Sequence, residues 1–410
     1  MVKKIISVIF LFFLFIVPIY ADELNIDSDK YILYNLNDNS VIIEHNSNEK
    51  TQIASLTKIM TTIVAIENVK DYNRKVTITK EMYNNIEWDI AVAGYKVGDK
   101  VTYNDLFYGA ILPSGADAVN ALAYSVFNNY DSFIKKMNDK ANELGLKNTR
   151  FSNPIGLYDE NNYSSAKDIS TLLIYALKNK KFKEIFTAKN YTSTTGVKMK
   201  STIETYNAKN GSENLNYITG AKTGYIKKAG YCLATTAEIN GIEYLLVTLN
   251  AHTNGAPHIK DAIKTYKYYS ENYEYKSIVK KDTVVVKLPV KYSNEKQINI
   301  KANKNIKHYL KNDIDIEDIK YIYAGEKYIT PFTKQGTKLG TIEIKYKDET
   351  LDKFDLILLQ KVKFSLFSFI WAYKFIVIII VIIIYIKIKS NKIKGLKKRK
   401  KYIKKQDIKI

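Results

Sequence analysis

Cysteine is almost absent. Cys232 is the only one in 410 residues, so no disulfide can close within the chain and no cysteine-based metal site can be built. It lies in the apolar run Gly230-Tyr231-Cys232-Leu233-Ala234, which suits a small core residue. Histidine is scarce too: His45, His252, His258 and His308 show no zinc-hydrolase spacing, and no metal or other cofactor is expected. Acidic residues are outnumbered, 42 against 63 Lys plus Arg, leaving a net charge of +21. About half of that excess sits in residues 387–410, a local feature rather than a field over the whole protein, so no nucleic-acid partner is expected. A hydrophobic content of 46% and an aromatic content of 12% exclude global disorder, and the length allows two or more domains.

The two ends carry targeting signals. Lys3 and Lys4 precede the apolar run Ile5–Ile16, and Pro18-Ile19-Tyr20-Ala21 ends it, so residues 1–21 are expected to be a signal peptide. The chain after Asp22 is then extracytoplasmic. Residues 364–386 are expected to form a single-pass transmembrane helix of the cell membrane, with Trp371 and Tyr373 at the interface and Lys374 snorkelling. A re-entrant or interfacial helix is the competing arrangement. Residues 387–410 form a basic tail, cytoplasmic by the positive-inside rule and facing the anionic inner leaflet.

Between the ends, strand-like alternation over Tyr31–Tyr34 and Ser40–Glu44 flanks a polar turn. Helical patterns follow over residues 56–66, 104–112, 118–126 and 132–144, and again from Ser165 with Asp168 in the first turn. Residues 217–225, 232–237 and 243–249 return to strand character, and a helix over 259–273 closes the region. This order implies an α+β domain over 22–275, a sheet covered by helices. Residues 276–362 alternate in short segments without helices or clustered reactive groups, and are expected to form a small β-sandwich serving as spacer or partner-binding module.

Three stretches carry chemistry. In Ala54-Ser55-Leu56-Thr57-Lys58, Ser55 and Lys58 lie three apart at the start of a helix whose other face is apolar. That spacing sets a hydroxyl beside an amine that becomes a base if burial or a second cation lowers its pKa. Ser-x-x-Lys alone is a common pattern. Ser114, in Leu112-Pro113-Ser114-Gly115-Ala116-Asp117, sits on a turn between two helices, a place from which a hydroxyl points into a cleft. Lys222-Thr223-Gly224 lies on a strand.

Together these stretches, with Gly220-Ala221-Lys222-Thr223-Gly224-Tyr225 and Ala229-Gly230-Tyr231, resemble the serine-type D-alanyl-D-alanine carboxypeptidases, the low-molecular-mass penicillin-binding proteins. The resemblance covers residues 25–275. It implies a β-lactamase/transpeptidase-like fold, with the small β-domain and C-terminal anchor usual in that family. It implies a peptidoglycan pentapeptide ending in D-Ala-D-Ala as substrate, a part in peptidoglycan biosynthesis and cell shape, and β-lactam antibiotics as covalent inhibitors. Ser55 would form the acyl-enzyme, Lys58 would be its base with a pKa lowered by Lys222, and Ser114 would relay a proton to the leaving amine. Lys222 and Thr223 would hold the substrate carboxylate, Gly224 would let the strand approach the substrate backbone, and the N–H groups of Ser55 and Tyr225 would form the oxyanion hole.

Two positions depart from the family pattern. Ala116 stands where Asn is usual, with Asn120 one helical turn on as a candidate replacement. A downstream arginine has no clear counterpart, with His258 or Lys260 near its place. Trp88 and Tyr95 are expected to be loop packing. Two alternatives remain open: a β-lactamase, for which Glu160 is the candidate second carboxylate, and a catalytically silent wall-binding homologue, motivated by Ala116.

Overall fold

Alternation at the N-terminal side folds into strands β1 (Lys30–Asn35) and β2 (Ser40–His45), paired antiparallel with Tyr31 opposite His45. The sheet is completed from much later in the chain by β3 (Ile218–Ile226), β4 (Gly230–Ile239) and β5 (Ile242–Ala251). Its order is β2-β1-β5-β4-β3, antiparallel throughout. Asn240 and Gly241 both take positive φ between β4 and β5, as a tight hairpin turn requires. The computed structural model describes residues 24–84, 86–211 and 213–406; the expected signal segment over 1–21 lies outside them. The chain divides into two units, Met1–Glu271 and Asn272–Ile410.

Helices fill the middle of the first unit: α1 (Thr57–Asn68), α2 (Tyr103–Ile111), α3 (Ala116–Val126), α4 (Tyr130–Glu143), α5 (Ala166–Leu177), α6 (Lys180–Phe186) and α7 (Thr202–Lys209). A final helix, α8 (Pro257–Asn272), packs on the sheet, where Tyr266 meets Thr235 of β4 at 2.7 Å. Ser165 caps α5 by accepting from the Asp168 N–H. The one apolar face expected of α1 understates its burial, because every residue from Thr57 to Ile66 is buried. A helix buried all round is the centre of a core rather than a surface element. Its polar side chains therefore need partners inside: Thr57 donates to the Ala54 carbonyl and Thr61 to the Pro154 carbonyl.

The second unit is β-rich: β6 (Tyr273–Val279) pairs with β9 (Ile306–Lys311), and β7 (Val284–Pro289) with β8 (Gln297–Lys301). A further sheet runs β10 (Ile319–Gly325), β11 (Lys338–Tyr346), β12 (Glu349–Ile357). Its core gathers Ile298, Ile300, Leu310, Ile342, Ile344 and Leu356. Two helices follow, α9 (Leu366–Ala372) and α10 (Lys374–Gln406). Among the described residues no single helix is long and apolar enough to cross a membrane; α9 and α10 reach that length and composition only as a pair, bent by 78°.

Candidate active site

Ser55 stands on a turn, not inside the helix that follows. Ala54–Leu56 form one 3₁₀ turn, and Ala54 takes φ 47, a left-handed conformation that costs a residue with a Cβ. Two glycines hold this turn from either side. Gly156 has φ +91, and a Cβ there would lie 2.0 Å from the Ala54 carbonyl oxygen. A Cβ on Gly224 would lie 3.0 Å from the Ser55 amide nitrogen and 3.2 Å from the Ile53 oxygen. The smallness of Gly224, which also lines the cleft, thus serves the seat of Ser55 itself.

Lys58, one turn along, is 1% exposed. Its Nζ donates to Ser55 Oγ at 2.8 Å and to the Ile155 carbonyl at 2.7 Å. Burial lowers its pKa to about 7, against a smaller upward pull from the Asp117 carboxylate. Burial, not Lys222, is therefore the principal cause of the shift. The charge coupling falls on the partner: Lys222 is lowered well below its ordinary value by burial first and by Lys58 second.

Ser114 also sits in the left-handed region, at φ 63, just before Gly115 opens α3. Its Oγ accepts from Lys222 Nζ at 2.8 Å, and the same amine donates to the Thr223 carbonyl at 2.7 Å. Lys222 is completely buried and does not line the cleft. Its amine is thus held between Ser114 Oγ and the Thr223 carbonyl at this end of the cleft. The hydroxyls that do face the cleft at this end are those of Thr223 and Thr202, joined at 2.6 Å. Thr202 was not singled out from sequence; the only signal was its place at the start of a short helix after Ser201.

The cleft, of about 160 Å³, brings together Ser55, Lys58, Ser114, Thr223, Gly224 and Tyr225. Helix α3 organises one side of it. The Asp117 carboxylate accepts from the N–H groups of Ala93, Gly94 and Tyr95. Asn120 donates to the carbonyls of Met82 and Asn84, so it anchors a loop and does not replace the amide missing at the buried Ala116. His258 is buried, stacked on Tyr231 at 5.0 Å, and pushed down to about 4 by burial, which makes it a neutral packing ring. Lys260 is exposed and does not line the cleft. Glu160 is exposed and also lies outside the cleft lining. Tyr95 is loop packing, its hydroxyl bonded to the Asp105 carbonyl at 2.8 Å. Trp88 is not: it is 97% exposed.

A buried amine near neutrality against a serine hydroxyl, a second hydroxyl held by a second amine, and paired threonines at one end suit acyl transfer on an anionic substrate. The comparisons agree. The peptidase S11 family, D-alanyl-D-alanine carboxypeptidase, matches residues 18–253, and the C-terminal domain of penicillin-binding protein 5 matches residues 273–363. The D-alanyl-D-alanine carboxypeptidase DacF of Bacillus subtilis is 29% identical over 344 residues, 81% of this chain and 85% of that one. The D-alanyl-D-alanine carboxypeptidase of Streptomyces sp. strain K15 is 35% identical over 225 residues, 52% of this chain and 77% of that one. The crystal structure of penicillin-binding protein 5 from Haemophilus influenzae shares the fold, with a TM-score of 0.62 and 23% identity over 82% of this chain and 98% of that one. With more than half of its length matched, over a span that contains Ser55, Ser114 and Lys222, this chain belongs to the peptidase S11 family of D-alanyl-D-alanine carboxypeptidases, hydrolases of transpeptidase fold that here carry a β-rich domain of the penicillin-binding protein 5 type.

Proposed function

We propose that this protein is a membrane-anchored carboxypeptidase that removes the terminal D-alanine of peptidoglycan stem peptides through an acyl-enzyme on Ser55. The observation that carries the reading is the Lys58 amine, buried, near neutral pKa and 2.8 Å from Ser55 Oγ. When neutral, Lys58 accepts the hydroxyl proton as Ser55 Oγ adds to the carbonyl carbon between the two D-alanines. The N–H groups of Ser55 and Tyr225 take the developing oxyanion; Gly224, the residue before Tyr225, already lies against the Ser55 amide. The C–N bond then breaks as the proton taken by Lys58 is returned through the Ser114 hydroxyl to the departing amine, so D-alanine leaves and Lys58 is neutral again. Water, deprotonated by Lys58, hydrolyses the ester and frees the shortened peptide.

The two lysines divide the work. The substrate carboxylate, seated on Thr223 and Thr202 in front of Lys222, favours the charged form of Lys222. Each amine disfavours a proton on the other, so this leaves Lys58 neutral and basic. The substrate thereby helps to prepare its own base. Incubation of the full chain with a pentapeptide ending in D-Ala-D-Ala tests the activity. Release of free D-alanine, absent in Ser55→Ala, is the expected result; no release by folded wild-type protein refutes the reading.

Anchoring rests on the C-terminal helices. Ser365 donates its N–H to the Tyr292 carbonyl, and the Tyr292 hydroxyl meets that of Tyr373 at 2.7 Å, so α9 is fastened to the β-rich domain. The apolar start of α10, Phe375–Ile386, is about 18 Å long at 1.5 Å per residue, short of a hydrocarbon core of about 30 Å. We place α9 in the membrane interface with α10 entering the bilayer, Lys387 and Lys389 snorkelling along its apolar surface toward the anionic headgroups that the later lysines meet. The chain has two tryptophans. In a Trp88→Phe variant, Trp371 alone reports: quenching by lipids brominated near the headgroup is expected, and no quenching by any brominated lipid contradicts the placement.

A further inference from the structure

Six large apolar side chains of the first unit stand exposed among the described residues: Val41, Trp88, Val92, Val97, Tyr158 and Tyr225. One of them lines the catalytic cleft, and three are chain neighbours of residues that do. Tyr225 lines it, Trp88 and Val92 bracket the lining residues Asp89–Ala91, and Tyr158 follows the lining residue Leu157. The segments that line the cleft therefore also carry exposed apolar side chains. Exposed apolar side chains scattered over a surface need no explanation, but one carried by a segment that itself lines a reaction cleft is placed to meet what enters that cleft.

Trp88 is the extreme case, an indole 97% exposed on a segment that is otherwise firmly held. Helix α3 grips that segment at both ends. Asn120 binds the Met82 and Asn84 carbonyls before it, the Ala116 N–H donates to the Ala91 carbonyl after it, and Asp117 collects the N–H groups of residues 93–95. The backbone that carries the indole is thus held in advance, which limits the entropy lost when the ring binds. The groups beside it select its ligand. Glu87 and Asp89 flank Trp88 with carboxylates, which disfavour anions and accept hydrogen bonds. A pyranose ring offers a flat face of C–H groups to an aromatic ring and hydroxyl and amide donors at its edge.

Resting on the carboxypeptidase reading above, we infer that the surface around Trp88 is a saccharide subsite, holding the amino-sugar backbone of the substrate while its peptide end occupies the cleft. The enzyme then prefers stem peptides still attached to glycan over free peptides. Steady-state D-alanine release by the full chain tests this with two substrates, a disaccharide-pentapeptide and the same pentapeptide without sugars. Trp88→Ala is expected to raise KM for the disaccharide substrate by several-fold to about ten-fold, the scale of one aromatic contact. The kcat values and both constants for the sugar-free peptide should stay unchanged, and Trp88→Phe should restore most of the loss. Equal loss on both substrates assigns Trp88 to the peptide or to loop integrity and overturns the inference, as does no loss on either. In Trp371→Phe, where Trp88 is the only indole, its emission should shift on addition of a β-1,4-linked N-acetylated disaccharide alone. A wild-type protein that releases no D-alanine from either substrate refutes the carboxypeptidase reading instead, whatever this emission shows.

Discussion

Lys58→Met is expected to lower D-alanine release by about 10³- to 10⁴-fold, the scale of losing a general base that also serves a covalent nucleophile. The fold should survive and even gain. At neutral pH the native state holds an amine whose pKa has fallen from 10.5 to about 7, whereas the unfolded chain exposes an ordinary lysine. That depression opposes folding, fully below the folded value, and the opposition fades as pH rises toward 10.5. Methionine keeps the stem volume and removes the charge, so Tm at pH 7 should rise despite the lost donor to the Ile155 carbonyl. The wild-type pH profile carries the same signature. Only the neutral amine acts as base, so kcat/KM should climb about ten-fold per unit on the acid side and level off near pH 7. Continued climbing toward pH 10 would show an ordinary lysine and contradict the assignment.

Gly156→Ala is expected to disable the site without touching a reactive group. The added methyl would sit 2.0 Å from the Ala54 oxygen, on a backbone at φ +91. Neither backbone can yield alone, because the Lys58 amine is bonded to the Ile155 carbonyl and the Ala54 oxygen accepts from Thr57. A destabilisation of about 2–4 kcal/mol is expected from strain plus collision. Acylation by penicillin should fall at least about a hundred-fold as the Ser55 turn shifts. Gly145→Ala is the matched control: its φ is also positive, at +69, but its Cβ meets nothing within 4 Å. It should cost about 1 kcal/mol and leave acylation intact. Comparable acylation by Gly156→Ala and Gly145→Ala, measured with a fluorescent penicillin, would show that the clamp on Ala54 is not needed.

Much of the site was legible because its chemistry is local in sequence. Ser55 and Lys58 meet within one turn, a relation fixed by helical spacing, and the main strands and helices carry regular apolar periods. Other features depend on contacts that no period records. Thr202 lies in a region of three-residue strands and short helices, where neither alternation nor a 3.6-residue repeat has room to show. The direction of Asn120 is set by carbonyls at Met82 and Asn84, far away in the chain, and so a guess from helical spacing aimed it at the wrong partner. Lys222 has the motif's position, but only the packing of β3 against the Ser114 turn brings its amine to the Ser114 hydroxyl, 108 residues away in the chain. Trp88 reads as packing because tryptophan usually buries, and nothing in its neighbours announces that it does not. The same limit applies at Tyr373, where an apolar run continuous in sequence is broken into two helices.

Intact-protein mass spectrometry of the full chain after incubation with benzylpenicillin, followed by peptide mapping, tests the central assignment most directly. One covalent adduct is expected, carrying the whole antibiotic, on the peptide that contains Ser55. It should form in wild type, form more slowly in Lys58→Met, and be missing from Ser55→Ala. An adduct that persists in Ser55→Ala, or folded wild-type protein that takes up none, would contradict Ser55 as the acylating nucleophile.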